Sequence, residues 1–357
     1  MKLVLHIGAP KTGSTAIQEA LRRQELSWLD KGVMVCPEPH DYAFRYLGGG
    51  QFPPKLRMRF DSFDAAVDWS ERCWQVLETK LAAEPPTAVV MSSEYFIVSQ
   101  QKKALTERLL SLFSEVQVIA YVRDPVSNFV SMVDQAIRGG ARVGDLKVFS
   151  RREHSWLPAA LDKFARRFGD QRLVVRNFAR HNLVEGDVVA DFQALVERAL
   201  GQSLPLHTKA DMRNQSLCGA ATAWLLTQNE MSDAFLRNKG SKFRMRLRRA
   251  EVDALRVAPG LADMPRLTLD DPVLLGFLAG KFADEIVELN TRYLSGQVQM
   301  PVGPALQELP ALEVLQARLR DWLAGYLTSE TEELIVRIAE RARREANQRF
   351  SERVNGS

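Results

Sequence analysis

The chain has 357 residues, 46% hydrophobic and 26% charged, which suits two globular domains or one large α/β domain with additions. Disorder, collagen and low-complexity classes are excluded for most of it, and 48 basic against 44 acidic side chains leave a formal charge of +4, too mild to imply nucleic acid. No run approaches the ~18 apolar residues of a membrane span, and three cysteines without CxxC or metal spacing argue against a disulfide framework or a cysteine-rich zinc site; a reducing compartment, most simply the cytoplasm, is expected.

The apolar run Leu3 to Ile7, broken only by His6, is too short for a signal-peptide core and predicts a buried strand over 2–7. His6, inside it, reads as a packing residue. A Gly/Pro/Lys/Thr/Ser loop follows, then a helix from about Thr15 whose Ala16, Ile17, Ala20 and Leu21 share one face. Residues 33–60 read as irregular, a long loop over a surface or cleft. A helix fits 62–82 and is broken by Pro85-Pro86, and a buried strand at 88–91 runs into Ser92-Ser93-Glu94. Further helices are expected at 102–113, 126–138, 156–168, 187–200 and 217–231, with strands at 116–122 and 173–175. Beyond about 235 no convincing strand remains. Leu312, Leu315, Leu319, Trp322, Leu323 and Tyr326 keep helical spacing, and Ser329-Glu330-Thr331-Glu332 resembles a capping box opening a last helix. Strands alternating with helices predict an α/β fold, with helical additions at the C-terminus. The expected division is an α/β domain over 1–300 and a helical extension over 301–357.

Gly8-Ala9-Pro10-Lys11-Thr12-Gly13-Ser14-Thr15 lies after a strand and before a helix. Glycines let the backbone turn its N–H groups toward an anion, the helix N-terminus adds a partial positive charge, and Lys11 adds a full one. Ser14 and Thr15 can donate hydroxyl hydrogen bonds, which suits a 5′-phosphate. The nucleotide-triphosphatase loop is G-x-x-x-x-G-K-[ST]. Here Gly8 and Gly13 have that spacing, but Ser14 occupies the lysine position and the lysine sits at 11. The departure favours a donor with two phosphate-type groups over ATP hydrolysis.

A second element is Arg123 at the end of strand 116–122, with Ser131 eight residues on in the following helix. The carboxyl ends of strands are where open α/β sheets bind ligands. Alternatively, Arg123 pairs with Asp124 or caps a carbonyl, and Ser131 is a bystander.

"HIGAPKTGSTAIQ" resembles the 5′-phosphosulfate loop of sulfotransferases that use 3′-phosphoadenosine 5′-phosphosulfate (PAPS), and "VIAYVRDPVSNFVSM" resembles their 3′-phosphate element. Weaker echoes of bacterial carbohydrate-type sulfotransferases are "MSSEYF", "DQAIRGG", "RLVVRNFAR" and "MRNQSL". The resemblance spans roughly residues 1–230. It implies a three-layer P-loop-like fold with a central parallel sheet flanked by helices. It also implies metal-free, in-line transfer of a sulfuryl group from PAPS to a hydroxyl of a carbohydrate or glycolipid, leaving adenosine 3′,5′-bisphosphate. Lys11, Thr12, Gly13, Ser14, Thr15, Arg123 and Ser131 would bind the donor, Asn214 and Ser216 would contact the nucleotide, and Lys11 would neutralise the breaking bridge.

An alcohol acceptor needs a general base. Glu94, at the carboxyl edge of strand 88–91, is one candidate; its bland alternative is a helix N-cap carboxylate. His40, on the long loop, is the other, with Glu38 behind both. Glu38, His40, Gln135 and Arg138 are candidate acceptor contacts. Arg176 supports cofactor or acceptor, or else forms a salt bridge between elements. Rival functions are a P-loop kinase or nucleotide triphosphatase using Mg-ATP, and a non-enzymatic anion-binding module. Seven Lys or Arg and no acid occupy 237–249, a segment open to peripheral membrane contact or simply a solvated basic face. No nucleic-acid partner is expected, and no metal site.

Overall fold

A computed structural model describes residues 1–36, 60, 62–99, 102–146, 156–206, 216–231 and 242–355. The chain forms two compact units that interleave in sequence: Met1–Asp124 with Ser155–Lys209 and Asp284–Val302, and Pro125–His154 with Ala210–Ala283 and Gly303–Ser357. A boundary at 300 therefore does not separate them, because residues 210–283 group with the C-terminal helices.

The first unit is built on five parallel strands: β1 (Lys2–His6), β2 (Val33–Val35), β3 (Ala88–Ser92), β4 (Glu115–Val122) and β5 (Leu173–Asn177), in the order β2-β3-β1-β4-β5. Leu3, Val4, Leu5 and Ile7 are all fully buried rather than alternating. That is the pattern of a parallel strand covered on both faces. Helix α1 (Ser14–Leu29) leads from β1 to β2, and α2 (Phe63–Ala83) precedes β3. The short α3 (Tyr95–Val98) and α4 (Lys102–Leu112) then carry the chain to β4, on the far side of β1. This reversal makes the carboxyl edge beside β1 a switch point. Helix α5 (Pro125–Arg138) follows β4, α6 (Leu157–Phe168) precedes β5, and α7 (Val188–Leu200) follows it.

On one face Ile17, Ala20, Leu21 and Trp28 of α1 and Val189, Phe192 and Val196 of α7 pack on Val4, Val90, Ile119 and Tyr121. On α7 the Asp187 carboxylate caps the N-terminus, accepting from Val189 and Ala190 N–H at 2.8 and 3.0 Å. Residues Val33–Val35, expected to be irregular, are instead an edge strand paired with β3. Three residues carry too little periodicity to announce a strand; the exposed hydrogen-bonding edge of β3 recruits them.

The second unit is helical. It contains α5, α8 (Gly219–Met231), α9 (Lys242–Val257), the first half of α10 (Pro272–Arg292), α11 (Leu312–Ala324) and α12 (Ser329–Asn355). Phe129, Val133, Trp224, Leu225, Leu255, Leu278, Leu319, Leu323 and Ile335 form its core. Helix α8 is buried almost all round, and Gly219 admits the Tyr326 ring against its backbone. The last carbonyls of α5 are satisfied from outside the helix. Asn229 Nδ2 donates to the Ile137 and Ala141 oxygens at 2.9 Å, and Arg248 Nη2 donates to Ile137 O at 3.0 Å. Helix α12 begins as expected, but its cap is Thr328 rather than Ser329: Thr328 Oγ1 accepts from Thr331 N–H at 3.3 Å, and Thr328 N–H donates to Thr331 Oγ1 at 3.0 Å.

Candidate functional site

Strand β1 ends at His6, in register with Ser92 of β3 and Ile119 of β4. The following loop keeps to the sheet direction for two more rungs, with Ile7 N–H donating to Ile119 O at 3.0 Å and Ala9 N–H to Tyr121 O at 2.9 Å. It then turns tightly. Gly8, Lys11 and Gly13 all adopt positive φ, at 75°, 68° and 82°. For Lys11 this is a strained backbone, tolerated where the surrounding loop over-determines it. Thr12 is fully buried and its hydroxyl donates to Ala9 O at 2.6 Å, closing the loop on itself. Only its backbone N–H is then left to serve a ligand as donor.

Helix α1 starts immediately after Gly13 with no side-chain cap. Its first amides, Ser14 and Thr15, precede the first helical hydrogen bonds to Gly13 O, which come from Ala16 and Ile17. An uncapped helix N-terminus of this kind attracts an anion. Ser14 adds a specific signal. Its side chain is 4% exposed, and Oγ has no hydrogen-bond partner among the described residues. A buried hydroxyl without a partner is destabilising by roughly 1–3 kcal/mol, a penalty that a bound anionic oxygen removes. Thr15, the next residue, is exposed.

Two neighbouring strand ends complete the edge. Arg123 follows β4 directly, and its Nη1 donates to Lys11 O at 3.3 Å. The guanidinium carbon lies 5.9 Å from the centroid of the Phe178 ring, just past β5. Burial lowers the Arg123 pKa and the adjacent Asp124 opposes that; the group remains a cation at neutral pH. Gly13 is hemmed by the same ring: a Cβ placed there would lie 3.2 Å from Phe178 Cε2 and 2.8 Å from Val188 Cγ1. Phe178 escaped the sequence reading as a site residue, although it lies in the segment "RNFAR".

After β3, Ser93 N–H donates to His6 O at 3.0 Å and Ser93 Oγ accepts from Tyr95 N–H at 3.2 Å. Ser93 thus serves the start of α3. Glu94 stands at the N-cap position of that helix, half-buried, but its carboxylate makes no capping hydrogen bond. Its backbone closes on the loop: a Cβ on Gly8 would lie 2.6 Å from Glu94 Cα. Only glycine permits that approach, so Gly8 sets the spacing between the loop and Glu94.

His6 is fully buried, with Nδ1 2.7 Å from Ser92 Oγ and its ring edge-on to Tyr121. Burial brings its pKa down to about 3, so the ring is neutral and part of the packing beneath the loop. Arg176 is engaged in structure: it donates from Nη2 to Asp191 Oδ1 at 2.6 Å and from Nε to Asp191 Oδ2 at 3.1 Å. Of its two sequence readings, the salt bridge between elements is the one observed.

Ser131, Gln135 and Arg138 lie on α5, and Ser216 lies just before α8, all in the second unit. Ser131 is half-buried and Gln135 exposed, while Arg138 is ion-paired to Asp134 at 2.9 Å. Glu38, His40 and Asn214 fall outside the described residues. Among the described residues no helix is long and apolar enough to cross a membrane.

Fold and loop together define an α/β protein with a tight glycine-bounded loop, followed by a helix N-terminus without a side-chain cap, at the carboxyl end of its central strand. No family model and no curated protein matches the chain. Among solved structures, it is similar to a sulfotransferase from Alicyclobacillus acidocaldarius, with 14% identity over 63% of this chain and 91% of that one, at a TM-score of 0.36. It is also similar to a structure of the PezAT chromosomal toxin–antitoxin system of Streptococcus pneumoniae, with 13% identity over 49% and 67% of the chains, at a TM-score of 0.29.

Proposed function

We propose that the protein is a sulfotransferase that moves a sulfuryl group from PAPS to a hydroxyl of a carbohydrate or glycolipid. The observation that carries this reading is the β1–α1 loop: a buried Ser14 hydroxyl with no partner among the described residues, at an uncapped helix N-terminus, with Lys11 in the turn and Arg123 hydrogen-bonded to it. The donor supplies an activated sulfonate on a phosphate leaving group. Around it the chain's own groups act by position and charge. The Ser14 and Thr15 amides and the Ser14 hydroxyl donate to the 5′-phosphate. The Lys11 ammonium neutralises charge that grows on that phosphate as the bond to sulfur breaks. Arg123 takes the 3′-phosphate as a charge-assisted partner. Glu94, placed beside the loop by Gly8, accepts the proton of the acceptor hydroxyl; His40 is the competing base. A triphosphatase-type lysine is absent from position 14, which is Ser14. Cys36, Cys73 and Cys218 form no disulfide with one another, which accords with a cytoplasmic location.

Ligand-induced thermal stabilisation tests the donor assignment. Adenosine 3′,5′-bisphosphate should raise the melting temperature without Mg²⁺, and Mg-ATP should do so much less. The reverse order would make the protein a P-loop kinase or nucleotide triphosphatase. Transfer of labelled sulfate to a panel of glycans and glycolipids then tests the reaction. Lys11→Ala should lower it on the order of 10³-fold at an unchanged melting temperature. Undiminished transfer in that variant rules out the role given to Lys11.

A further inference from the structure

The basic segment noted in the sequence continues into α9, and the fold gives it a second half. Helices α9 and α12 pack side by side in the second unit. Their directions are opposed. Glu251 on α9 is ion-paired with Arg343 on α12, whereas Gly260, beyond the end of α9, lies against Leu334 nearer the start of α12. This antiparallel pairing brings the N-terminal half of α9 beside the C-terminal half of α12. Both halves are rich in arginine, though some 100 residues separate them in the chain. The acidic start of α12, with Glu330, Glu332 and Glu333, falls at the opposite end.

Over 242–257 and 337–355 there are twelve Lys or Arg and five Asp or Glu, an excess of seven. The whole chain carries only +4, so the rest of the protein is net negative. Part of this charge is internal. Arg248 and Arg343 hold the buried Glu251, and Arg248 also donates to Asn229 Oδ1 at 2.8 Å. Arg244, Arg246, Arg249, Arg341, Arg344 and Arg349 are instead exposed. Asp253 lies 3.6 Å from Arg249, and Glu345 lies 2.9 Å from Arg341. Met245 is 37% exposed between Arg244 and Arg246, and Phe243 is partly exposed one residue earlier.

We propose that the arginine-rich end of the α9–α12 pair is a docking surface for an anionic lipid bilayer. The arginines are spread over two antiparallel helices rather than gathered around a single point, which suits contact with a charged bilayer. Each arginine gains from the negative surface potential, and the gains add across the patch. The apolar Met245 among the charges favours lipid over a polyanion in water, because an interfacial helix buries such a side chain at the headgroup boundary. The surface is independent of the transferase reading and holds whatever the β1–α1 loop binds.

Co-flotation with vesicles tests it directly. The full chain should bind vesicles of phosphatidylcholine with phosphatidylglycerol and not phosphatidylcholine alone, and high salt should release it. R244Q/R246Q/R344Q/R349Q should weaken binding on the order of 10³-fold, and each helix's pair of changes alone by roughly thirtyfold. The two half-variants keep the test decisive if the fourfold variant does not fold. R72Q/R166Q/R180Q/R198Q removes the same charge from exposed arginines of the other unit and should bind within about twofold of the unmodified chain. Equal losses in both fourfold variants would reduce the effect to net charge and overturn the surface. So would undiminished binding by the helix variants, equal binding to neutral vesicles, or tighter binding to duplex DNA than to anionic vesicles at the same salt.

Discussion

Arg123 and Arg176 stand at the carboxyl ends of adjacent parallel strands, with Tyr121 of β4 paired to Arg176 of β5. They have opposite surroundings. Arg176 meets a buried carboxylate: Asp191 takes two of its N–H groups, a third goes to Asn182 O, and Tyr121 Oη donates to Asp191 Oδ2 at 2.9 Å. That hydrogen bonding to Asp191 raises the Arg176 pKa against the effect of burial. Arg123 is placed differently. It leans on an aromatic ring, reaches a loop carbonyl at 3.3 Å, and has its pKa lowered by burial. A cation tied to a buried carboxylate stabilises the fold, whereas the role proposed for Arg123 is to meet a ligand at the loop.

Substitutions sharpen this contrast, and the largest effect is expected at the edge that holds Arg123. Glu94→Gln keeps the shape of the side chain and removes its basicity. In single-turnover transfer with saturating donor the rate should fall on the order of 10²–10⁴, with donor affinity within a few-fold and the acidic limb of the pH profile lost. His40→Asn should then cost less in rate and more in acceptor affinity. If the two results exchange, His40 is the base; if both variants keep rate and profile, neither residue is.

The arginines themselves should separate by observable. Asp191→Asn leaves Arg176 without its charge partner, and denaturant unfolding should show a loss of roughly 3 kcal/mol. Arg123→Ala should change stability by no more than about 1 kcal/mol. It should weaken adenosine 3′,5′-bisphosphate by about 10–100-fold while leaving adenosine 5′-phosphate nearly unaffected, as expected for loss of a charged hydrogen bond. Equal weakening of both nucleotides by calorimetry would move Arg123 into the same structural class as Arg176.

A further effect, confined to acid pH, concerns His6 beneath the loop. Its folded pKa of about 3 lies below the ordinary 6.5, so between these values the unfolded chain binds the extra proton. Its contribution to stability is complete above pH 6.5 and lost as pH falls toward 3, at about 1.4 kcal/mol per unit. The difference in pH slope between the unmodified chain and His6→Asn isolates this residue from the carboxylates. Parallel slopes would mean that His6 is hydrated and titrates normally.

The local chemistry of the site was legible in the residues. Gly8, Lys11, Gly13 and Ser14 announce a turn that presents amides to an anion, and the strand–loop–helix order around them follows from apolar patterning. Arg123 was legible because a strand ends there. The strand Val33–Val35 was not, since three residues are shorter than any period. The roles of Phe178 and Gly8 were not legible either, because an aromatic ring beneath an arginine and a glycine against Glu94 are contacts between distant segments.

By itself, then, the sequence determined the identity of the elements, the tight loop between β1 and α1 and the ordinary globular character, all of which depend on neighbours a few residues apart. Tertiary structure decided what each charge meets. It gave Arg176 to Asp191 and Arg123 to the loop, turned the Thr12 hydroxyl inward to Ala9, buried Ser14 with no partner among the described residues, and laid the arginine-rich half of α9 beside that of α12. Electrostatic and hydrogen-bond energies depend on distance and burial rather than on residue type, so those assignments exist only once the chain has folded.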